Sequence, residues 1–276
     1  MHCAAFQFDV RRGEHAHNLA EVERGLRAAR EQGVELVLLP EMWASSFPDA
    51  GADLERLAAL DERSHARVAE LSAELELVVC GTTFGVSASR KPANRWRLVE
   101  RGVELAHYDK THLFSPTAEP ESFSAGDAPP PLALIRSARV SGCVCYDARF
   151  VQLTSRFLQE RAELVLIPAQ WPASRASHFR ALMHGLAVQN QCFVLAANRT
   201  GRELLGRRGL ELEFPGNSLL IDAHGRTLAE GAGAPGLIGA RVELDEAREL
   251  RRRVPIVRDA REVLYERWRA APSRDE

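Results

Sequence analysis

"ELVLLPEMW", residues 35–43, carries four consecutive apolar residues, 36–39, between a glutamate and a Pro-Glu pair. A strand with one face in water alternates apolar and polar residues. An unbroken run of this length, closed by a proline, fits a strand covered on both faces, as in an α/β fold. "ELVLIPAQW" (163–171) is a second such run. "HCAAFQFDV" (2–10), "LVVCGTTF" (77–84) and "CFVLAANRT" (192–200) read as further strands. Helical patterns lie between them. "NLAEVERGLRAAREQG" (18–33) is amphipathic, with Asn18 and Glu21 spaced as an N-cap and its N3 partner and Gly33 as a stop. Across 53–76, Leu54, Leu57, Val68, Leu71 and Leu75 share one helix face. Two more helices are expected at about 151–161 and 175–190. "RWRLVERGVELAHYDK" (95–110) reads as a hairpin turning near Arg101-Gly102, and "NSLLIDAHGRTLAE" (217–230) as one turning at His224-Gly225. "LIGARVEL" (237–244) is a last strand before a polar, Arg-rich tail. The alternation implies α/β with two comparable layered halves, and the hairpins make the sheets mixed. The Pro- and Ser-rich stretch 115–131 and the long loop 198–217 are candidate linkers. Neither separates two segments that could each close a core, so 1–276 is read as one domain.

With 276 residues, 45% hydrophobic and 27% charged, the chain can bury a large core. A net charge of −2 with both signs mixed throughout points away from nucleic acid. No apolar run nears the ~20 residues of a membrane helix. The N-terminus lacks a signal-peptide layout, which favours the cytoplasm. The five cysteines include no C-x-x-C, and no histidine lies near the pair Cys143/Cys145, so neither a disulfide framework nor a zinc site is expected.

Three strand ends finish in reactive groups: Glu41 after "LVLLP", Lys110 in "HYDKTHLF" and the cysteine pair in "SGCVCYDARF" (141–150). On a strand, residues i and i+2 share a face. The pair could therefore be core filler, half a metal site, a redox couple, or one nucleophile beside a bystander. A thiol that attacks carbon must become a thiolate, a nearby carboxylate can take the proton, and a lysine can hold the resulting oxyanion. Together these groups suit acyl transfer at an amide or nitrile carbon.

"LVLLPEMW", "YDKTHLF" and "GCVCYDARF" resemble, in order and approximate spacing, the three signature segments of the nitrilase, or carbon–nitrogen hydrolase, superfamily. The likeness continues through "GNSLLIDAHGRTLAE" and "DAREVLY" and covers nearly the whole chain. It implies a four-layer αββα sandwich that assembles as a homodimer or higher homo-oligomer, with a small-molecule amide as substrate and no metal or organic cofactor. By motif, it implies Glu41 as general base, Lys110 as the oxyanion-stabilising lysine and Cys145 as nucleophile, with Cys143 as packing. The backbone N–H of Tyr146 would be a second oxyanion donor. Glu119, seven residues before Gly126, would be a second glutamate orienting Lys110, with Glu121 as its rival. Asp147 and Arg149 would brace the turn. Phe47, Trp171 and Arg175 would contact substrate. The chain departs from the pattern at three places. Val151-Gln152 stands for Pro-Glu, Leu186 and Gln189 replace an Arg and a Glu, and Gln170 replaces an Asn before Trp-Pro.

The segment W-P-x-x-R-x-x-H (171–178) resembles the omega-amidase branch, which cleaves the terminal amide of 2-oxoglutaramate or 2-oxosuccinamate. Within the superfamily the alternatives are a deaminated-glutathione amidase, an N-carbamoyl amidohydrolase or a nitrilase. Outside catalysis the alternative is a silent binding protein on the same fold.

Overall fold

The computed structural model describes residues 1–85, 91–205 and 210–271. In chain order the first half holds β1 (His2–Gln7), α1 (His15–Glu31), β2 (Leu36–Leu38), α2 (Leu54–Glu74), β3 (Val78–Gly85), β4 (Ala93–Glu100), β5 (Val103–Asp109) and α3 (Glu119–Ser122). Next come β6 (Ala133–Ile135), β7 (Ala138–Gly142), α4 (Val151–Thr154), α5 (Arg156–Gln159), β8 (Leu164–Ala169), α6 (Ala176–Asn190) and β9 (Phe193–Asn198). The chain continues through β10 (Thr200–Leu205), β11 (Leu210–Pro215), β12 (Leu219–Ile221), β13 (Thr227–Glu230) and β14 (Gly236–Arg241) to α7 (Leu244–Arg253), α8 (Ile256–Asp259) and α9 (Glu262–Ala270).

Two six-stranded sheets result, in the orders β14-β1-β2-β3-β4-β5 and β13-β12-β9-β8-β7-β6. Each has a parallel centre, β1–β2–β3 and β7–β8–β9, flanked by antiparallel strands. The unbroken apolar run at 36–39 is explained by this stacking. Leu36 and Leu38 join Cys3, Ala5 and Cys80 in the core that reaches the second sheet, while Val37 and Leu39 join Val22, Leu26, Val68 and Leu71 beneath α1 and α2. Both faces of β2 are dry because a sheet covers one and helices the other. Helix α6 packs on β9 and β12 in the same way. The architecture is the four-layer αββα sandwich implied by the resemblance.

Local readings differ at three places. Helix α1 starts at His15, and Asn18 is not its cap. Buried Asn18 instead donates to the carbonyls of Arg11 (2.7 Å) and Ala44 (2.9 Å), tying the loop before α1 to the loop after β2. The expected helix at 151–161 is two short segments, α4 and α5, joined at Ser155. The expected loop at 198–217 contains the two-stranded ribbon β10–β11, and residues 206–209 lie outside the described residues. The five cysteines are all buried free thiols. No helix among the described residues is long and apolar enough to cross a membrane.

Candidate active site

The three reactive groups stand just past β2, β5 and β7, where strand C-termini meet at the sheet–sheet interface. The sheets approach closely there. A Cβ on Gly142 would come within 2.7 Å of the Trp96 indole, which reaches across from β4 of the other sheet, and within 2.4 Å of the Leu166 carbonyl in its own sheet, so only glycine fits at the end of β7. From Gly142 the chain leaves the sheet and enters a 3₁₀ turn at Cys145–Arg149. Cys145 has φ +46°, a left-handed conformation that non-glycine residues seldom adopt and that often marks a functional turn. Cys143 and Cys145 therefore do not share a strand face. Cys143 is wholly enclosed in the core, whereas Cys145 is 8% exposed and reaches a cleft.

Lys110 borders that cleft and lies between two glutamates, and all three are buried. Its Nζ donates to Glu41 Oε1 (2.8 Å) and to Glu119 Oε2 (2.8 Å) and Oε1 (3.0 Å). Burial works against the ammonium, but Glu119 and Glu41 outweigh it and hold its pKa well above the usual lysine value. Burial, reinforced by Glu41, pushes Glu119 up, against the pull of Lys110. Burial and the Glu41 carboxylate also raise the Cys145 thiol well above its usual range, opposed by Lys110 and the Gln170 N–H. The remaining Glu41 oxygen, Oε2, accepts from the Gln170 N–H (3.0 Å). Glu119 Oε2 accepts from the Phe114 N–H (2.6 Å). Glu119 is therefore the glutamate on the lysine, while Glu121 is exposed.

The turn is clamped from below. Buried Asp147 accepts from the N–H groups of Val144 (3.2 Å) and His112 (2.9 Å) and from the Tyr108 hydroxyl (3.0 Å), linking the lysine loop to the cysteine turn. This matches the bracing role expected for it. Arg149 does something else. It is exposed, lies 4.8 Å from the Trp171 ring centre and borders the cleft.

Glu41, Phe47, Lys110, Cys145, Tyr146, Trp171 and Arg175 all border this one cleft, while Glu119 stands behind Lys110. Phe114, Thr117, Gln170 and Leu212 border it as well and were missed from sequence. Leu212 comes from β11, held in place by a charged cluster beneath the ribbon. Glu203 of β10 accepts from Arg12 Nε (2.6 Å), from the Ser46 hydroxyl (2.7 Å) and from the buried Arg199 guanidinium. Arg199 also donates to Gln170 Oε1 (3.2 Å), and Gln170 Nε2 to the Glu41 carbonyl (2.9 Å). The departure at 170 is thus an amide that joins the Glu41 turn to the ribbon. The other departures strand no charge, since Leu186 is buried among apolar side chains and Gln189 is exposed. Asn94 was also missed. It is a buried amide touching both glutamates, and its signal was a polar, strand-averse residue inside the otherwise β-prone "ANRWRLVE".

The carbon–nitrogen hydrolase family model matches residues 3–252. The chain is 31% identical to a 2-oxoglutaramate amidase from Bacillus subtilis (strain 168), covering 95% of this chain and 98% of that one. It is 31% identical to omega-amidase YafV of Escherichia coli (strain K12), covering 89% and 91%. Among solved structures, an amidase from Nesterenkonia sp. superposes with TM-score 0.84 at 25% identity, covering 97% of this chain and 96% of that one.

Proposed function

This chain belongs to the carbon–nitrogen hydrolase family, and on that premise we propose that Cys145, Glu41 and Lys110 carry amide hydrolysis through a thioester. The observation that carries the reading is the convergence of the three on one cleft, with Lys110 Nζ 2.8 Å from Glu41. Cys145 attacks the amide carbon as its proton passes to Glu41. Lys110 holds the oxyanion from one side. The Tyr146 N–H, at the start of a 3₁₀ turn where no internal bond uses it, holds it from the other. Glu119 keeps the ammonium charged and aimed. Glu41 returns the proton to the leaving ammonia, then draws a proton from water as the thioester is hydrolysed.

The substrate class is a short monoamide with a carboxylate at its far end, of the 2-oxoglutaramate kind. The names of the relatives support this. So does the mouth of the cleft, where two guanidiniums lie over aromatic rings, Arg175 over Phe114 (5.7 Å) and Arg149 over Trp171 (4.8 Å). Neither has a carboxylate partner among the described residues, and a planar fork held on a ring suits a carboxylate. Ammonia release from 2-oxoglutaramate, from a neutral amide of equal length and from a nitrile tests the reading. The acidic amide should turn over best, and Arg175→Ala should raise KM for it roughly tenfold or more while sparing the neutral amide. Equal turnover of all three, or an equal effect of Arg175→Ala on both amides, would sink the substrate assignment.

A further inference from the structure

Asn94, in β4, is fully enclosed and is not among the residues that border the cleft. Its Nδ2 donates to Glu41 Oε1 (2.9 Å) and to Glu119 Oε1 (3.0 Å), and its carbonyl accepts the Lys110 N–H (3.0 Å). With carboxylate oxygens on both sides, the amide can be turned only one way, nitrogen toward the acid pair. Its Oδ1 is then buried without a partner among the described residues, a cost the fold accepts to keep both N–H groups on the glutamates.

Two carboxylates share this dry pocket with one ammonium, an uneven balance that favours protonating one of them. A neutral amide supplies two donors without adding charge. A lysine here would over-compensate, and an aspartate would add a third acid. Geometry matters as much as charge. Glu41 Oε1 already accepts from both Lys110 and Asn94, whereas Oε2 accepts from the Gln170 N–H alone.

We propose that Asn94 is a positioning residue of this site. It keeps Glu41 and Glu119 ionised and saturates Glu41 Oε1, so that Oε2 is the oxygen exchanging the proton with Cys145. The inference rests on the hydrolase reading, but one of its tests does not depend on turnover. Hydrogen bonds donated to a carboxylate lower its pKa, so removing them raises it. Adding a second proton to the Cys145–Glu41 pair then becomes easier, and the acid limb of any Cys145 reaction moves to higher pH.

The experiment compares wild type, Asn94→Ala, Asn94→Ser and Asn94→Asp. It measures Cys145 alkylation by iodoacetamide against pH, located by mass spectrometry, alongside the pH profile of ammonia release. The expected result is an acid limb displaced upward by about one pH unit or more in Asn94→Ala. Asn94→Ser, which keeps one donor, should fall between it and wild type. In hydrolysis kcat should drop at least tenfold with KM nearly unchanged, since Asn94 does not border the cleft. Asn94→Asp should be no better than Asn94→Ala. A merely structural amide would lower thermal stability and leave the pH profiles superimposed, and that result in either folded variant overturns the proposal. If wild-type Cys145 is alkylated but no amide releases ammonia, the hydrolase reading fails, while the alkylation profiles still decide the role of Asn94.

Discussion

The turns that follow β2 and β8 are built from nearly the same nine residues, "ELVLLPEMW" (35–43) and "ELVLIPAQW" (163–171), identical at six positions. They make the same bonds at the foot of their sheets. Glu35 accepts from the His2 N–H (2.6 Å) and Glu163 from the Arg139 N–H (2.9 Å). The Glu35 carbonyl accepts from Val78 (2.9 Å) and the Glu163 carbonyl from Phe193 (2.8 Å). At the other end the equivalent seventh positions meet across the sheet interface, Glu41 N–H to the Ala169 carbonyl (3.4 Å). There the likeness stops. One turn places a carboxylate beside Lys110 and Cys145, and the other places a methyl group. Trp43 is core beneath the helices, whereas Trp171 borders the cleft. The scaffold repeats and the chemistry does not. On the mechanism proposed above, a single acidic position on a repeated strand-turn is what sets one copy apart from the other.

Making the two turns alike should therefore have the largest effect. Glu41→Ala should lower kcat by at least about 10³, within what a lost general base removes, with the fold retained by circular dichroism. Cys145→Ala should lower it at least as far, whereas Cys143→Ala should keep a substantial fraction. Turnover surviving in Cys145→Ala would move the nucleophile elsewhere. The shared apolar positions should behave as equals. Leu38→Ala and Leu166→Ala, both fully buried, should each cost about 2–5 kcal/mol in urea unfolding. A cost in one copy alone would show that the halves are not packed alike.

Gln170→Met copies Met42, its counterpart in the first turn. The change removes the side-chain bonds to the Glu41 carbonyl and Arg199 but keeps the backbone N–H on Glu41 Oε2. Activity should fall only about tenfold. Stability should fall by about 1–3 kcal/mol, because the Arg199 cluster loses an acceptor.

The smallest effect concerns the matched acids at the foot. Burial opposes the charge on each, but a backbone N–H and an arginine prevail, Arg136 for Glu35 and Arg248 for Glu163, and both carboxyls lie below the usual range. Their stabilisation is fully present above the ordinary carboxylate pKa and is lost as pH falls through the depressed native values. Glu35→Gln and Glu163→Gln should each cost no more than about 1 kcal/mol at pH 7, less at high salt. The difference from wild type should vanish in acid. A difference that grows as the solution is acidified would contradict the assignment.

The elements read from sequence were those whose cause is local. An unbroken apolar run, a helical stripe at Leu54, Val68 and Leu71, and the turns at Arg101-Gly102 and His224-Gly225 each follow from a few neighbouring side chains. Glu41, Lys110 and Cys145 were legible for a different reason: each closes a strand in a motif whose order and spacing resemble a known family. Asn18, Asn94 and the ribbon β10–β11 were not legible. A buried amide is worth having only for the groups it meets across the fold. Asn18 exchanges a cap for two loops brought together by β2, and Asn94 for two glutamates 53 and 25 residues away. The residues thus determined the layers and the identity of the reactive groups. Only the stacking of one sheet on the other decided which strand-end residues share a desolvated cleft, which glutamate meets the lysine and which cysteine reaches the surface, because those depend on distances that exist once the two halves have closed.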